Sequence, residues 1–212
     1  MYSVIIQPHS LNQHSPKNQD LNGDGKADLV WRNTQTGQVA VWLLDGTTIA
    51  TSAFLSGVPK EWVLKGVGDV DGNGTADLIW RNATSGLIAV WHMNGTTITS
   101  VGFPGGTGLT WTIEGVGDLN GSGKADLVWR NTQTGQVAVW LLNGSSIATS
   151  GFLSGVPAVW KLKSVADVDG NGTADLIWWN SSSGSVAIWH MNGLTINSVS
   201  FPGSASMAWE IQ

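Results

Sequence analysis

An all-β chain of four repeated sheets is what this sequence predicts, on three observations: a strict internal period, a high glycine content, and short strand-like runs broken by turn residues. The stretch DLNGDGKADLVWRN from Asp20 to Asn33 returns as DVDGNGTADLIWRN at Asp69, DLNGSGKADLVWRN at Asp118 and DVDGNGTADLIWWN at Asp167, always 49 residues apart. A period of this length marks one supersecondary unit that buries its apolar face only against its neighbours. The 28 glycines among 212 residues are about twice the usual share and point to many turns.

The elements follow in order along one copy. Trp62 to Val67 reads as a strand, then comes the acidic loop, a second strand from Ala76 to Asn82, a Thr-Ser-Gly turn, a third strand from Leu87 to Met93, and a fourth from Thr96 to Phe103. Asn94-Gly95, Asn143-Gly144, Asn192-Gly193 and Asp45-Gly46 suit two-residue hairpins in which both central residues take positive φ. Each repeat is then a four-stranded antiparallel meander, and four side by side read as blades of a β-propeller. The repeats beginning at Asp20 and Asp118 agree at 39 of 49 positions, while those at Asp69 and Asp167 share Trp-His-Met-Asn-Gly, so the duplicated unit is a pair.

Trp209-Glu210-Ile211-Gln212 matches the inner strand of the later repeats, and no such strand directly precedes Asp20. The expectation is a propeller domain over residues 17–212, its ring closed by the C-terminal strand, with residues 1–16 as a tail. Two chains exchanging terminal strands would instead form an eight-bladed homodimer. Either closure removes exposed sheet edges.

Composition excludes several classes. With 42% hydrophobic content and no cysteine, the chain can bury a core but has no disulfides, which leaves its compartment open. MYSVIIQPHS lacks the charged and apolar regions of a signal peptide, and no apolar run approaches the roughly 18 residues of a membrane helix. The net charge of −5 is local, because 11 of 12 aspartates lie in the repeated loops. Lysines and arginines are scattered rather than clustered, so no nucleic-acid footprint is expected.

The loops carry the clearest chemistry. Calcium takes six to eight hard oxygens on a tight turn that brings alternate side chains inward, and positions one, three, five and nine of each loop supply them. Loop 1 offers Asp20, Asn22, Asp24 and Asp28 with the Lys26 carbonyl at position seven; loop 2 offers Asp69, Asp71, Asn73 and Asp77 with the Thr75 carbonyl. Loop 4 offers Asp167, Asp169, Asn171 and Asp175 with the Thr173 carbonyl. Loop 3, with Asp118, Asn120, Ser122, Asp126 and the Lys124 carbonyl, has two carboxylates and is expected to bind weakest among up to four calcium sites. Position twelve holds Trp31, Trp80, Trp129 or Trp178 instead of the bidentate Glu of an EF-hand, which sets affinities near the range of about 10⁻⁴ to 10⁻³ M. Metal-free Asp/Asn-Gly turns would use the same residue types; aspartate at positions one and nine of all four loops favours metal.

The loop D-x-[DN]-G-x-G-x-x-D running into Ala-Asp-Leu-Ile-Trp-Arg-Asn resembles the FG-GAP or VCBS repeat family and is similar to the calcium-binding blades of integrin α-chain propellers. The resemblance spans Asp20 to Gln212. It implies calcium between the two inner strands of each blade, an extracellular or cell-surface setting, and roles in adhesion, carbohydrate binding or scaffolding. The chain departs from the usual pattern in having four repeats where seven is common, and in Ser122 at an Asp/Asn position.

Thirteen tryptophans include three sets at fixed positions. Most suit the wedge between neighbouring sheets. The set Trp62, Trp111, Trp160 and Trp209, with Arg32, Arg81 and Arg130, is the candidate for stacking on sugar rings. His92 and His190 replace Leu43 and Leu141 in alternate repeats and read as structural. No acid, base or nucleophile set converges outside the loops, so a calcium-binding, lectin-like or adhesive module is expected rather than an enzyme. Its partner would be a glycan or an extracellular protein. The alternatives are a structural or protein-interaction propeller and a calcium-assisted polysaccharide lyase.

Overall fold

A computed structural model describes residues 19–206, together with residues 208, 209 and 211. The first sixteen residues, expected as a tail, lie outside that range. Fifteen strands and no α-helix occur among the described residues, so none is long and apolar enough to cross a membrane as a helix. The first sheet contains β1 (Leu29–Arg32), β2 (Val39–Asp45) and β3 (Thr48–Phe54). The second is β4 (Trp62–Gly68), β5 (Asp77–Asn82), β6 (Leu87–Asn94) and β7 (Thr97–Gly106); the third β8 (Trp111–Gly117), β9 (Asp126–Asn131), β10 (Gln136–Asn143) and β11 (Ser146–Gly155); the fourth β12 (Trp160–Ala166), β13 (Asp175–Asn180), β14 (Ser185–Asn192) and β15 (Thr195–Ser204). Each sheet is an antiparallel meander in sequence order, the arrangement of a propeller blade.

Period-two alternation explains how one sheet serves two neighbours. In β5, Leu78 and Trp80 join the core shared with the first sheet, while Ile79 joins the core shared with the third. Three cores result: first with second, second with third, third with fourth. Trp80 and Trp91, on adjacent strands, place their rings 5.2 Å apart and tilted, and the same pair recurs as Trp31–Trp42, Trp129–Trp140 and Trp178–Trp189. Tilted aromatic pairs contribute about 0.5–1.5 kcal/mol beyond their buried area.

The hairpins differ from expectation. Asn94 pairs with Thr97, which leaves Gly95-Thr96 as the two-residue loop, and Gly95 has φ 59° while no non-glycine among the described residues has positive φ. Glycine at the first central position is the type II′ solution, in place of Asn-Gly in type I′. Asn94 instead extends the ladder, and the Gly95 N–H donates across to Leu21 O of the preceding blade at 2.6 Å.

The expected closing strand falls partly outside the described residues. The first sheet has three strands, and Trp209, expected to begin its fourth, is 71% exposed; Glu210 and Gln212 lie outside the described residues. Among those described, no core joins the fourth sheet to the first.

Candidate functional site

Loops 2, 3 and 4 each link the inner strand of a blade to the strand that follows it, as loop 2 links β4 to β5, and loop 1 leads into β1. Position one is caged by backbone. Asp69 Oδ1 accepts from Gly72 N at 2.7 Å and Oδ2 from Gly74 N at 2.7 Å, because Gly72 and Gly74 take φ of 80° and 89° and turn their N–H groups inward, a conformation open to glycine at little cost. Asp20 and Asp167 are held in the same way, while Asp118 accepts from Ser122 N and Gly123 N. At Asp167 the hydrogen bond from Gly172 is the largest of the influences that lower its pKa.

Position nine behaves oppositely. Asp28, Asp77, Asp126 and Asp175 are at most 1% exposed, and each bridges two backbone N–H groups: Asp126 Oδ2 accepts from Leu119 N and Oδ1 from Leu142 N, both at 2.9 Å. Burial disfavours the charged form, which pushes Asp77 up to about 6 and Asp126 up to about 7 despite those bonds; Asp28 is raised for the same reason. A carboxylate has about four lone-pair sites, so these aspartates retain acceptor capacity after their backbone bonds. A divalent cation would relieve the burial penalty.

The loops divide into two kinds. In loop 2, His92 Nδ1 lies 3.3 Å from Asp71 Oδ2 and 3.2 Å from Asp77 Oδ2, with its Nε2 2.7 Å from Ser145 Oγ of the next blade. In loop 4, His190 Nδ1 lies 3.3 Å from Asp169 and 3.4 Å from Asp175. These two triads are positioned to hold a metal ion, their donor atoms lying within 4.8 Å of one another. The imidazole nitrogen suits borderline metals as well as supporting an oxygen-rich site. Asn73 and Asn171, at position five, accept from the backbone and hydroxyl of Thr75 and Thr173.

Loops 1 and 3 carry their own cation instead. Lys26 Nζ stands 3.7 Å from Asp24 and 3.0 Å from Asp45, and Lys124 Nζ donates to Asn143. Asn22 and Asn120, which replace the position-three aspartate, accept from the backbone of Asp24 and Ser122. Sequence reasoning ranked loop 3 alone as weakest; the structure groups loops 1 and 3 together. It also missed the histidines. The signal was present, since His accompanies Asp71 and Asp169 whereas Leu43 and Leu141 accompany Asn22 and Asn120.

The candidate sugar-stacking residues separate. Arg81 and Arg130 are buried, at 6% and 7% exposure, and lie over Trp129 and Trp178 of the following blade at 5.5 and 5.6 Å. Arg32 sits likewise over Trp80 at 5.8 Å. This corrects the expectation that they face a ligand. Trp62, Trp111 and Trp160 are half-buried. Trp62 and Trp111 pack beside Phe103 and Phe152, with ring centroids 6.4 and 5.9 Å apart. Phe54, Phe103, Phe152 and Phe201, one per blade on the outer strand, are 63–70% exposed.

A family model described as FG-GAP-like repeat matches residues 20–80 and 69–129, together a little over half of the chain. The chain resembles part of the Photorhabdus luminescens Tc holotoxin pore at 20% identity and a TM-score of 0.56, over 90% of this chain and 10% of the toxin chain. It matches a structure of BBS1N in complex with ARL6DN at 13% identity and a TM-score of 0.40, over 85% of this chain and 55% of that one. The chain thus spans only a fraction of either protein's length. No curated protein sequence matches it. The repeat match and the blade architecture together make a repeat-based interaction module, and the chain belongs to the FG-GAP-like repeat family.

Proposed function

We propose that this chain is a non-enzymatic recognition module of the extracellular space or cell surface, which binds calcium in its Asp loops and holds a glycan through one aromatic subsite per blade. The observation that carries this reading is the exposed phenylalanine on the outer strand of every blade, 63–70% accessible. All four phenylalanines of the chain stand there, although aromatic residues of this size normally contribute to cores. A flat ring beside a half-buried indole offers a surface for the apolar face of a sugar, and each Å² covered contributes about 25 cal/mol. Four weak subsites, two of them with the ring pair Trp62–Phe103 or Trp111–Phe152, would gain through avidity on a repetitive glycan. Calcium, when bound, would neutralise the clustered aspartates and fix the loops between the inner strands.

The test is a glycan array probed with labelled protein in millimolar calcium and in EGTA, beside the Phe103→Ser/Phe152→Ser variant. Binding in calcium, loss in EGTA and at least a tenfold reduction in the variant are expected. Absence of glycan binding in both buffers would sink the carbohydrate reading and leave a protein partner; turnover of an acidic polysaccharide would sink the non-enzymatic one.

A further inference from the structure

We infer that the tail face of the fourth blade is a docking surface for the head of the first blade of a second copy of this chain, the pair closing head to tail. The argument rests on how the three internal junctions are built. In each, the carbonyls of loop positions one and two accept hydrogen bonds from the next blade. Asp20 O accepts from Ala76 N at 2.7 Å and Leu21 O from Gly95 N at 2.6 Å; Asp69 O and Val70 O accept from Ala125 and Gly144; Asp118 O and Leu119 O accept from Ala174 and Gly193. The same step from the fourth blade leads from Asp167 O and Val168 O to Ala27 N and Gly46 N of a first blade. Among the described residues these four groups make no such bond.

Burial tells the same story on both faces. At the tail, Val168 is 43% exposed where Leu21, Val70 and Leu119 are 0%, and Val186 and Ile188 are half-buried where Ile88, Val90, Val137 and Val139 are closed off. At the head, Leu29 is 37% exposed where Leu78, Leu127 and Leu176 are 0%. Ala27 is exposed where Ala76, Ala125 and Ala174 are buried, and Trp31 is half-buried where its three counterparts are closed off. The unpaired donors at one end and unpaired acceptors at the other are thus complementary, and the apolar area around them continues an interface the chain already forms three times. Among the described residues these ends do not meet, and a second copy presents the matching face to each. Two such contacts close a two-fold ring, which removes both faces; a heterologous contact that failed to close would grow without limit. The argument is independent of glycan and of metal.

Size-exclusion chromatography with light scattering on the 212-residue chain tests this. A mass near twice 22.4 kDa is expected. Val168→Asp, which charges a side chain already half in solvent, should halve that mass while keeping the β-sheet circular dichroism of the parent, and Val168→Leu, which installs the residue found at Leu21 and Leu119, should retain the pair. A single-chain mass for the parent at all concentrations, open-ended assemblies, or a Val168→Asp variant that remains paired would each overturn the proposal.

Discussion

Asp126 shows how one buried side chain can pin two separate pieces of backbone. Its two oxygens each hold a backbone N–H, from Leu119 and Leu142, in a setting with 0% exposure. Asparagine offers one acceptor oxygen and a donor amide, so Asp126→Asn sets a donor against a buried N–H. A buried polar group left without its partner costs about 1–3 kcal/mol, and urea unfolding of the metal-free protein should show a loss in that range. The aspartate pattern was readable from spacing alone, because positions one and nine recur in all four loops. The two structural jobs were not. Which N–H groups a carboxylate meets depends on where the glycine turns and the neighbouring strand place them. His92 reads as structural on its strand, which its bonds to Asp77 and Ser145 agree with, and only its pairing with Asp71 ties it to the loop as well.

Between elements, the arginine near the end of β1, β5 and β9 acts as a clasp on the next blade. Arg81 lies over the Trp129 ring and donates to Gly108 O at 3.1 Å. Removing it in Arg81→Ala should cost about 1–3 kcal/mol from the lost ring contact and hydrogen bonds. Arg32→Ala, at the less buried first blade, should cost less, and Arg81→Lys should recover little because the planar fork is lost; thermal melts of the three variants check the order. Strand order and spacing were legible from periodicity and turn residues, and the observed strands follow the expected ones closely. The arginines were assigned to the wrong partner because the residue type fits a sugar and an indole equally well. Gly95 was read one residue out of place, since a hairpin's register is decided by which residue continues the ladder.

For the whole molecule, the buried aspartates make stability depend on pH. Asp77 near 6 and Asp126 near 7 stand above the ordinary value of 3.8, so between those values the folded chain binds more protons than the unfolded one. Metal-free stability therefore falls as pH rises from about 4 to 7 and is recovered on acidification. Calcium held in the loops as proposed would reverse the sign, because it would need the carboxylates ionised and would compete with protons. Melting temperature should fall from pH 5 to pH 8 after EDTA dialysis and rise over the same range in millimolar calcium; identical profiles would count against metal in the loops. That four blades would form was plain from the repeat, whereas the strand expected to close the ring falls on the last residues, of which Glu210 and Gln212 lie outside those described. The junction carbonyls carry one more implication. Asp20 and Leu21 precede in the chain the Ala76 and Gly95 that land on them, and the same order holds at the next two junctions. As the polypeptide leaves the ribosome, each footing is therefore complete before the blade it receives is synthesised. The molecule can be laid course by course from its N-terminal side, with an unfinished product ordered up to its last whole blade.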